Sequence, residues 1–277
     1  GKGMAMRAAV QVLYDRKGIG AVPIPEGLAG AVSALHLEML VRCKPEAVSF
    51  HFGLPDQRVV DTLKGSGIVV MCSATTVAEA KILEARGVDV IIAQGFEAGG
   101  HQGAFAEADA RVRLGLFSLL PQVVDAVSVP VVAAGGIADG RGIAAALMLG
   151  AHGVQLGTAF LRCPEASISD AYRSALAGAK DADTVITEVI SGRPARAISN
   201  RLVDELEGSG APPLPFPAQY DLTTPLDALD DVDYMGLLAG QSVALTREMP
   251  AGRLVKTLVD ETSRCLSLAL PPRETGE

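Results

Sequence analysis

Three segments of this chain combine residue types that can do chemistry. In VPVVAAGGIADGRGIAAAL (129–147) a Val-rich run ends on Gly135 and Gly136, and a helical stretch follows. Where side chains are absent, backbone N–H groups can approach a ligand, and the N-terminal dipole of the following helix favours an anion. In GVQLGTAFL (153–161) a second run ends on Gly157 and Thr158, a bare amide beside a hydroxyl donor. Two consecutive strand ends of this type match the barrel habit of binding phosphate after strands 7 and 8. The alternative, that these glycines only make tight turns, stays open for either motif alone and is weaker for the adjacent pair.

The third segment, QGFEAGGHQGAF (94–105), ends an apolar run on small residues and a histidine. Gly99 and Gly100 let the main chain pass close to a flat ring, and His101 then projects where barrel enzymes gather catalytic groups. An imidazole there can move a proton near neutral pH. A lone histidine is also often structural, so spacing alone leaves both roles open. Glu97 is read as a solvated loop carboxylate in preference to an acid partner. His36 and His152 fall on helical or turn segments and read as surface or packing residues. His51, in SFHFG, either faces the site or is a hydrogen-bonded core residue. No HExxH or related spacing is present, so no metal is expected.

The elements that must position these groups are visible as short Val- and Ile-rich runs at 47–53, 67–74, 88–95, 129–136 and 153–160. They lack clean alternation, as suits parallel strands buried on both faces. Between them, 55–67, 77–87 and 142–153 read as helices closing on glycine, with Val77, Ala80, Leu83 and Ala85 near one face. The rhythm is βαβα, which implies a parallel sheet or barrel. After residue 200, GSGAPPLPFP (208–217) is a Pro/Gly-rich linker, and the stretch from residue 230 reads as helices.

Composition narrows the class. Of 277 residues, 49% are hydrophobic and 20% charged, a globular balance. The net charge of −8 and the lack of a basic run argue against a nucleic-acid partner. Cys43, Cys72, Cys163 and Cys265 lie far apart with no CxxC pair, which fits reduced thiols rather than zinc or a disulfide framework. No run has the length of a membrane span and no secretory signal is seen, which places the protein in the cytoplasm by default.

At VSFHFGLP (48–55), SATTVAEA (73–80), AQGFEAGGHQG (93–103), AAGGIADGRGIAAAL (133–147), GVQLGTAFL (153–161), SGRPARAISNRL (191–202) and LLAGQSVALTREMPA (237–251), the chain resembles nitronate monooxygenases, formerly called 2-nitropropane dioxygenases. The resemblance implies an FMN-binding TIM-type (β/α)8 barrel, an α/β fold, and oxidation of alkyl nitronates by molecular oxygen to a carbonyl compound and nitrite or nitrate. It also implies that Gln94, Gly99, Gly136, Gln155, Leu156, Gly157 and Thr158 contact FMN, with Gly100 and Gly135 beside them. His101 becomes the catalytic histidine. A base is needed for a neutral nitroalkane, whereas the charge of a preformed nitronate can be balanced by protonated imidazole.

Counting strands backwards from 153–160 as strand 8 makes the five runs strands 4 to 8. Only residues 1–46 remain for three β/α units that need roughly 90 residues at about 30 each, so the barrel is expected to be incomplete. The expected organisation is a leading helix and loop at 1–46, a partial barrel with the FMN site at 47–207, and a linker with a helical cap at 208–277. The expected partners are a small-molecule nitronate and O2, with a homo-oligomer or a completing N-terminal segment; neither nucleic acid nor membrane is expected. Three rivals remain: a flavin-dependent enoyl-acyl-carrier-protein reductase, a non-catalytic FMN-barrel subunit, and a phosphate-binding barrel lyase or isomerase without flavin.

Overall fold

The computed structural model describes residues 2–25, 32–106 and 113–269. The chain divides into two compact units, one of residues 32–97, 103–166 and 245–277, the other of residues 1–31, 98–102 and 167–244.

The first unit is a run of β/α repeats. Strands β1 (Ala47–Phe50), β2 (Val69–Ala74), β3 (Val90–Gln94), β5 (Val131–Ala134) and β6 (Gly153–Gln155) form one five-stranded sheet in the order β1-β2-β3-β5-β6. Every pairing is parallel, in registers such as Phe50↔Cys72, Ala74↔Ala93, Gln94↔Ala134 and Ala134↔Gln155. Helices α3 (Gln57–Gly65), α4 (Val77–Ala85), α5 (Leu116–Ala126) and α6 (Gly140–Met148) make the crossovers, and α2 (Ala34–Cys43) precedes β1. Because each strand enters from a helix on the same side, all five carboxyl ends lie along one edge, the edge at which α/β sheets build their sites. Val70, Cys72, Ile91, Ala93, Val131 and Ala133 are buried against Leu63, Leu83, Leu119 and Leu120 of the helices. The sheet does not close among the described residues: β1 and β6 each have a single strand neighbour.

The α4 turn shows how local sequence is recruited. Thr76 caps the helix by accepting from the Glu79 amide at 3.1 Å, the S/T-x-x-E arrangement of a capping box. The fully buried Glu79 carboxylate accepts from the Thr75 amide and hydroxyl, both at 2.7 Å, and from the amides of Phe105 and Ala106 at 2.7 and 3.1 Å. One side chain thus starts a helix and anchors the loop that returns from His101. At the far end of the chain, α10 (Ala251–Ala269) lies along α6. The helical reading from residue 230 holds only from Ala251, with a 3-10 turn at Val243–Leu245 before it. Gly236, Gly240 and Pro250 interrupt the intervening stretch.

The second unit holds β4 (Gly100–His101), β7 (Thr184–Thr187) and β8 (Ala195–Ile198), an antiparallel sheet in the order β4-β8-β7. With it are α1 (Lys2–Lys17), α7 (Asp170–Gly178), α8 (Arg201–Gly208) and α9 (Ala218–Asp227). Its core joins Met6, Val10, Leu13 and Tyr14 of α1 to Leu202, Leu206, Leu222 and Leu226. The buried Tyr14 hydroxyl donates to the Leu222 carbonyl at 2.8 Å, so the one polar atom on that ring is satisfied.

Candidate functional site

His101 is placed by β4, which pairs Gly100 with Arg196 and His101 with Ala195 on β8. The Gln102 amide continues the ladder by donating to the Pro194 carbonyl at 2.8 Å. Gly100 sits at φ +75, a conformation that L side chains rarely adopt, and it lets the chain turn into this short strand. Gly99, just before it, is exposed. The half-buried His101 ring lies with Nε2 2.7 Å from the Ser191 Oγ and meets the Phe216 ring edge-on at 5.3 Å. Ser191 is 1% exposed and is held in turn by the main chain of Arg193. A buried hydroxyl therefore orients the imidazole, as a base that must meet one proton requires. Ser191 opens the SGRPARAISNRL motif (191–202), but nothing in that motif gave it a role beside His101.

The neighbouring Gln102 carries a further signal: its Nε2 is buried with no hydrogen-bond partner. A buried orphan of this kind is costly unless something outside the chain satisfies it.

In the parallel unit, Gln94 ends β3 and is 8% exposed. Its Oε1 accepts the Gly103 amide at 2.7 Å, fixing the point where the chain returns after His101. Glu97 is not a solvated loop carboxylate. Both its oxygens accept the Leu116 amide, at 2.8 and 3.0 Å, so it caps α5. It also lies against Gly136, where a Cβ would stand 3.2 Å from that of Glu97.

Gly135 and Gly136 follow β5 with φ of 100 and 71. The amides of Gly136, Ile137 and Ala138 have no hydrogen-bond acceptor among the described residues. Consecutive left-handed glycines leading into unpaired amides form a concavity suited to an anion. The start of α6 itself is taken, which corrects the expectation that its dipole awaits a ligand. Asp139 accepts from the amides of Arg141 and Gly142, and Glu261 of α10 accepts from that of Gly140. Burial alone would raise the Asp139 carboxyl, but the Arg141 hydrogen bond and the two amides bring it below its ordinary value. The Arg247 guanidinium, at 2.7 Å, lowers that of Glu261. Two ionised carboxylates thus neutralise the helix end, and the glycine turn before it is what remains for a phosphate.

Gln155 ends β6 and Gly157 follows, both exposed, and nothing lies within 4 Å of where a Gly157 Cβ would be. Thr158 opens a 3-10 turn, Thr158–Phe160. The Leu156 side chain packs with Ile143, Phe160 and Leu254 in an apolar cluster, so only its main chain can serve a ligand. Gln94, Gly135, Gly136 and the 155–158 segment therefore stand at the carboxyl ends of three adjacent strands, β3, β5 and β6. The unpaired amides after Gly136 and the open space at Gly157 fit a phosphate group of a cofactor.

His36 and His152 are exposed, the latter accepting the Val131 amide on Nδ1 at 3.3 Å. Burial pushes the Cys72 thiol up to about 11, so it is not a thiolate near neutral pH. Among the described residues no group of three His, Cys, Asp or Glu could hold a metal ion, and no helix is long and apolar enough to cross a membrane.

Comparison with known proteins places these residues in context. The family model described as nitronate monooxygenase matches residues 20–261. The nitronate monooxygenase of Pseudomonas aeruginosa is 48% identical over 230 residues, covering 81% of this chain and 66% of the relative. A probable nitronate monooxygenase of Bacillus subtilis is 41% identical, with the same two shares. The chain thus spans about two thirds of the length of the curated relatives it matches. Among solved structures, a nitroalkane oxidase from Streptomyces ansochromogenes superposes with a TM-score of 0.89 at 38% identity, covering 96% of this chain and 78% of the other. FabK from Thermotoga maritima superposes with a TM-score of 0.72 at 27% identity, covering 87% and 76%.

Proposed function

Because the chain belongs to the nitronate monooxygenase family, we propose that it oxidises alkyl nitronates with molecular oxygen on a bound FMN, releasing a carbonyl compound and nitrite or nitrate. The observation that carries this reading is the His101 ring held on a buried serine, two residues after Gly99 and next to the orphaned Gln102 amide. When bound, FMN supplies the redox chemistry, taking electrons from the substrate and passing them to oxygen.

The protein's own work is binding, orientation and proton handling. The amides after Gly136, with Gly157 and Thr158, would hold the phosphate. Gly99 and Gly100 would let the main chain approach the flat ring, and Gln94 fixes the returning loop through Gly103. His101, oriented through Nε2 by Ser191, takes the α-proton of a neutral nitroalkane; for a preformed nitronate the same ring, protonated, balances the anion.

The likeness to FabK favours a second reading, an enoyl reductase using a nicotinamide donor. The larger TM-score with the nitroalkane oxidase and the identity to the curated relatives weigh for the first. One experiment separates them. Protein reconstituted with FMN is mixed anaerobically with the anion of 2-nitropropane or with NADH. Rapid bleaching of the flavin by the nitronate supports the proposal, and bleaching by NADH alone replaces it with the reductase. A protein that takes up no flavin overturns both.

A further inference from the structure

A cavity of about 440 Å³ opens between α6 and α10, lined by Arg141, Arg247 and Arg264 with the carboxylates of Asp139 and Glu261, the Cys265 thiol and Leu268. All of these residues belong to the parallel unit, and the mechanism above uses none of them. The arginines come from three places: Arg141 from the first turn of α6, Arg247 from the stretch before α10, and Arg264 from α10 itself.

The two carboxylates are largely spent within the protein. Asp139 accepts the Arg141 and Gly142 amides on Oδ1, and Nε and Nη2 of the Arg141 side chain on Oδ2. Glu261 accepts Arg247 Nη1 on Oε1 at 2.7 Å, and Arg247 Nη2 and the Gly140 amide on Oε2 at 3.0 and 3.1 Å. The cations are not spent. A guanidinium carries five N–H donors in a rigid fork, and among the described residues Arg141 keeps Nη1 and Arg247 keeps Nε without an acceptor. Arg264 is exposed and makes no hydrogen bond or ion pair there; it only feels the field of Asp260, one turn back on α10. Three cations thus face two anions, and Arg141 and Arg247 repel one another. Because Asp139 and Glu261 already occupy the amides at the start of α6, the surplus donors are those of side chains.

We propose that this cavity binds an organic phosphate, its phosphate on the donors left by Arg141, Arg247 and Arg264 and its organic body against Leu268 and the Cys265 thiol. A carboxylate offers one planar edge, which a single guanidinium matches, whereas the several oxygens of a phosphate can be shared by guanidinium groups arriving from three elements. The volume exceeds what an inorganic ion fills and lies in the range of about 300–1,000 Å³ typical of small-molecule sites. Leu268, 85% exposed, supplies an apolar wall that a bare ion would leave uncovered. The site stands apart from the nitronate reading and does not depend on it.

Cys265 reports on occupancy. It is half-buried in the cavity, Cys43 on α2 is exposed, and Cys72 and Cys163 are buried. The protein as purified, with its flavin content recorded, is alkylated with iodoacetamide, and labelling of Cys265 and Cys43 is followed separately by peptide mass spectrometry. Adenosine monophosphate should slow labelling of Cys265 saturably and leave Cys43 unchanged. The concentration for half-protection, which is insensitive to any change in the intrinsic reactivity of the thiol, should rise about tenfold in Arg264→Gln and in Arg141→Gln, since hydrogen bonds to charged groups are the stronger ones. Both side chains are exposed, so neither change threatens the fold. Inorganic phosphate should protect only at higher concentration, and adenosine should not protect. Absence of protection at millimolar nucleotide would overturn the proposal, as would half-protection unchanged in both variants or equal protection by adenosine or by inorganic phosphate. Protection that rises in step with flavin release would also overturn it, by putting the nucleotide in the cofactor site.

Discussion

At the scale of single residues, His101 and Gly136 carry the sharpest expectations. Replacing His101 by asparagine removes the ring that Ser191 orients at 2.7 Å but leaves the glycines beside it. Turnover of neutral nitroalkanes should fall about 10²- to 10⁴-fold, the usual cost of losing a positioned proton-transfer group. Turnover of preformed nitronates should fall much less, and FMN should be retained; equal rates on the neutral substrate would remove His101 from its role. Gly136→Val should purify without flavin. A branched side chain at φ 71, with its Cβ 3.2 Å from that of Glu97, displaces the turn whose amides are proposed to hold the phosphate. Strain of this kind costs roughly 1–3 kcal/mol, so the apo forms of variant and parent should be compared by urea titration; a full flavin complement in the variant would place the phosphate elsewhere. The glycine doublets and His101 were legible in the sequence because small residues at strand ends have few other uses. Their partners were not. Ser191 lies 90 positions from His101 and Glu261 lies 121 from Gly140, and no local pattern announces a contact across such a distance.

At the scale of elements, the five parallel strands and the helices α3, α4 and α6 were readable because Val- and Ile-rich runs alternate with helical stretches that close on glycine. The antiparallel sheet was not. β7 and β8 are four residues each, TVIT and ARAI, and their third strand is the dipeptide Gly100–His101. Strands so short, one of them buried throughout, carry no period to detect. Glu79 was also quoted only as part of a motif. Its carboxylate is fully buried and ties the α4 turn to the loop after His101, so Glu79→Ala strands several donors at once. Leaving buried donors unpaired costs about 1–3 kcal/mol apiece before relaxation. Chemical denaturation should therefore show a loss of roughly 3 kcal/mol or more, with proteolysis of the 103–106 stretch rising in step. A midpoint equal to the parent's would mean that water replaces the carboxylate without penalty.

For the molecule as a whole, the open sheet is the feature with the widest reach. Among the described residues β1 and β6 each have one neighbouring strand, and unpaired strand edges recruit other chains. Light scattering across a concentration series should show self-association beginning at micromolar protein, whereas a monodisperse monomer throughout would mean that both edges are protected. The path of the chain through its two units has a different implication. It leaves the parallel unit after Glu97, lends Ala98–Gln102 to the other, and returns at Gly103. Both exits are fastened, by Glu97 on Leu116 and by Gln94 on Gly103. Such an excursion tolerates changes of letter better than changes of length. One glycine inserted between Ala98 and Gly99 shifts β4 by a residue against β8, and in a strand a shift of one turns every side chain to the opposite face. The insertion should leave the melting temperature nearly unchanged and extinguish turnover of neutral nitroalkanes, while a second glycine beside it restores the parity of the strand and some of the rate. Among descendants of this gene, the spacing between Glu97 and Gly103 should then be inherited more strictly than the residues that fill it.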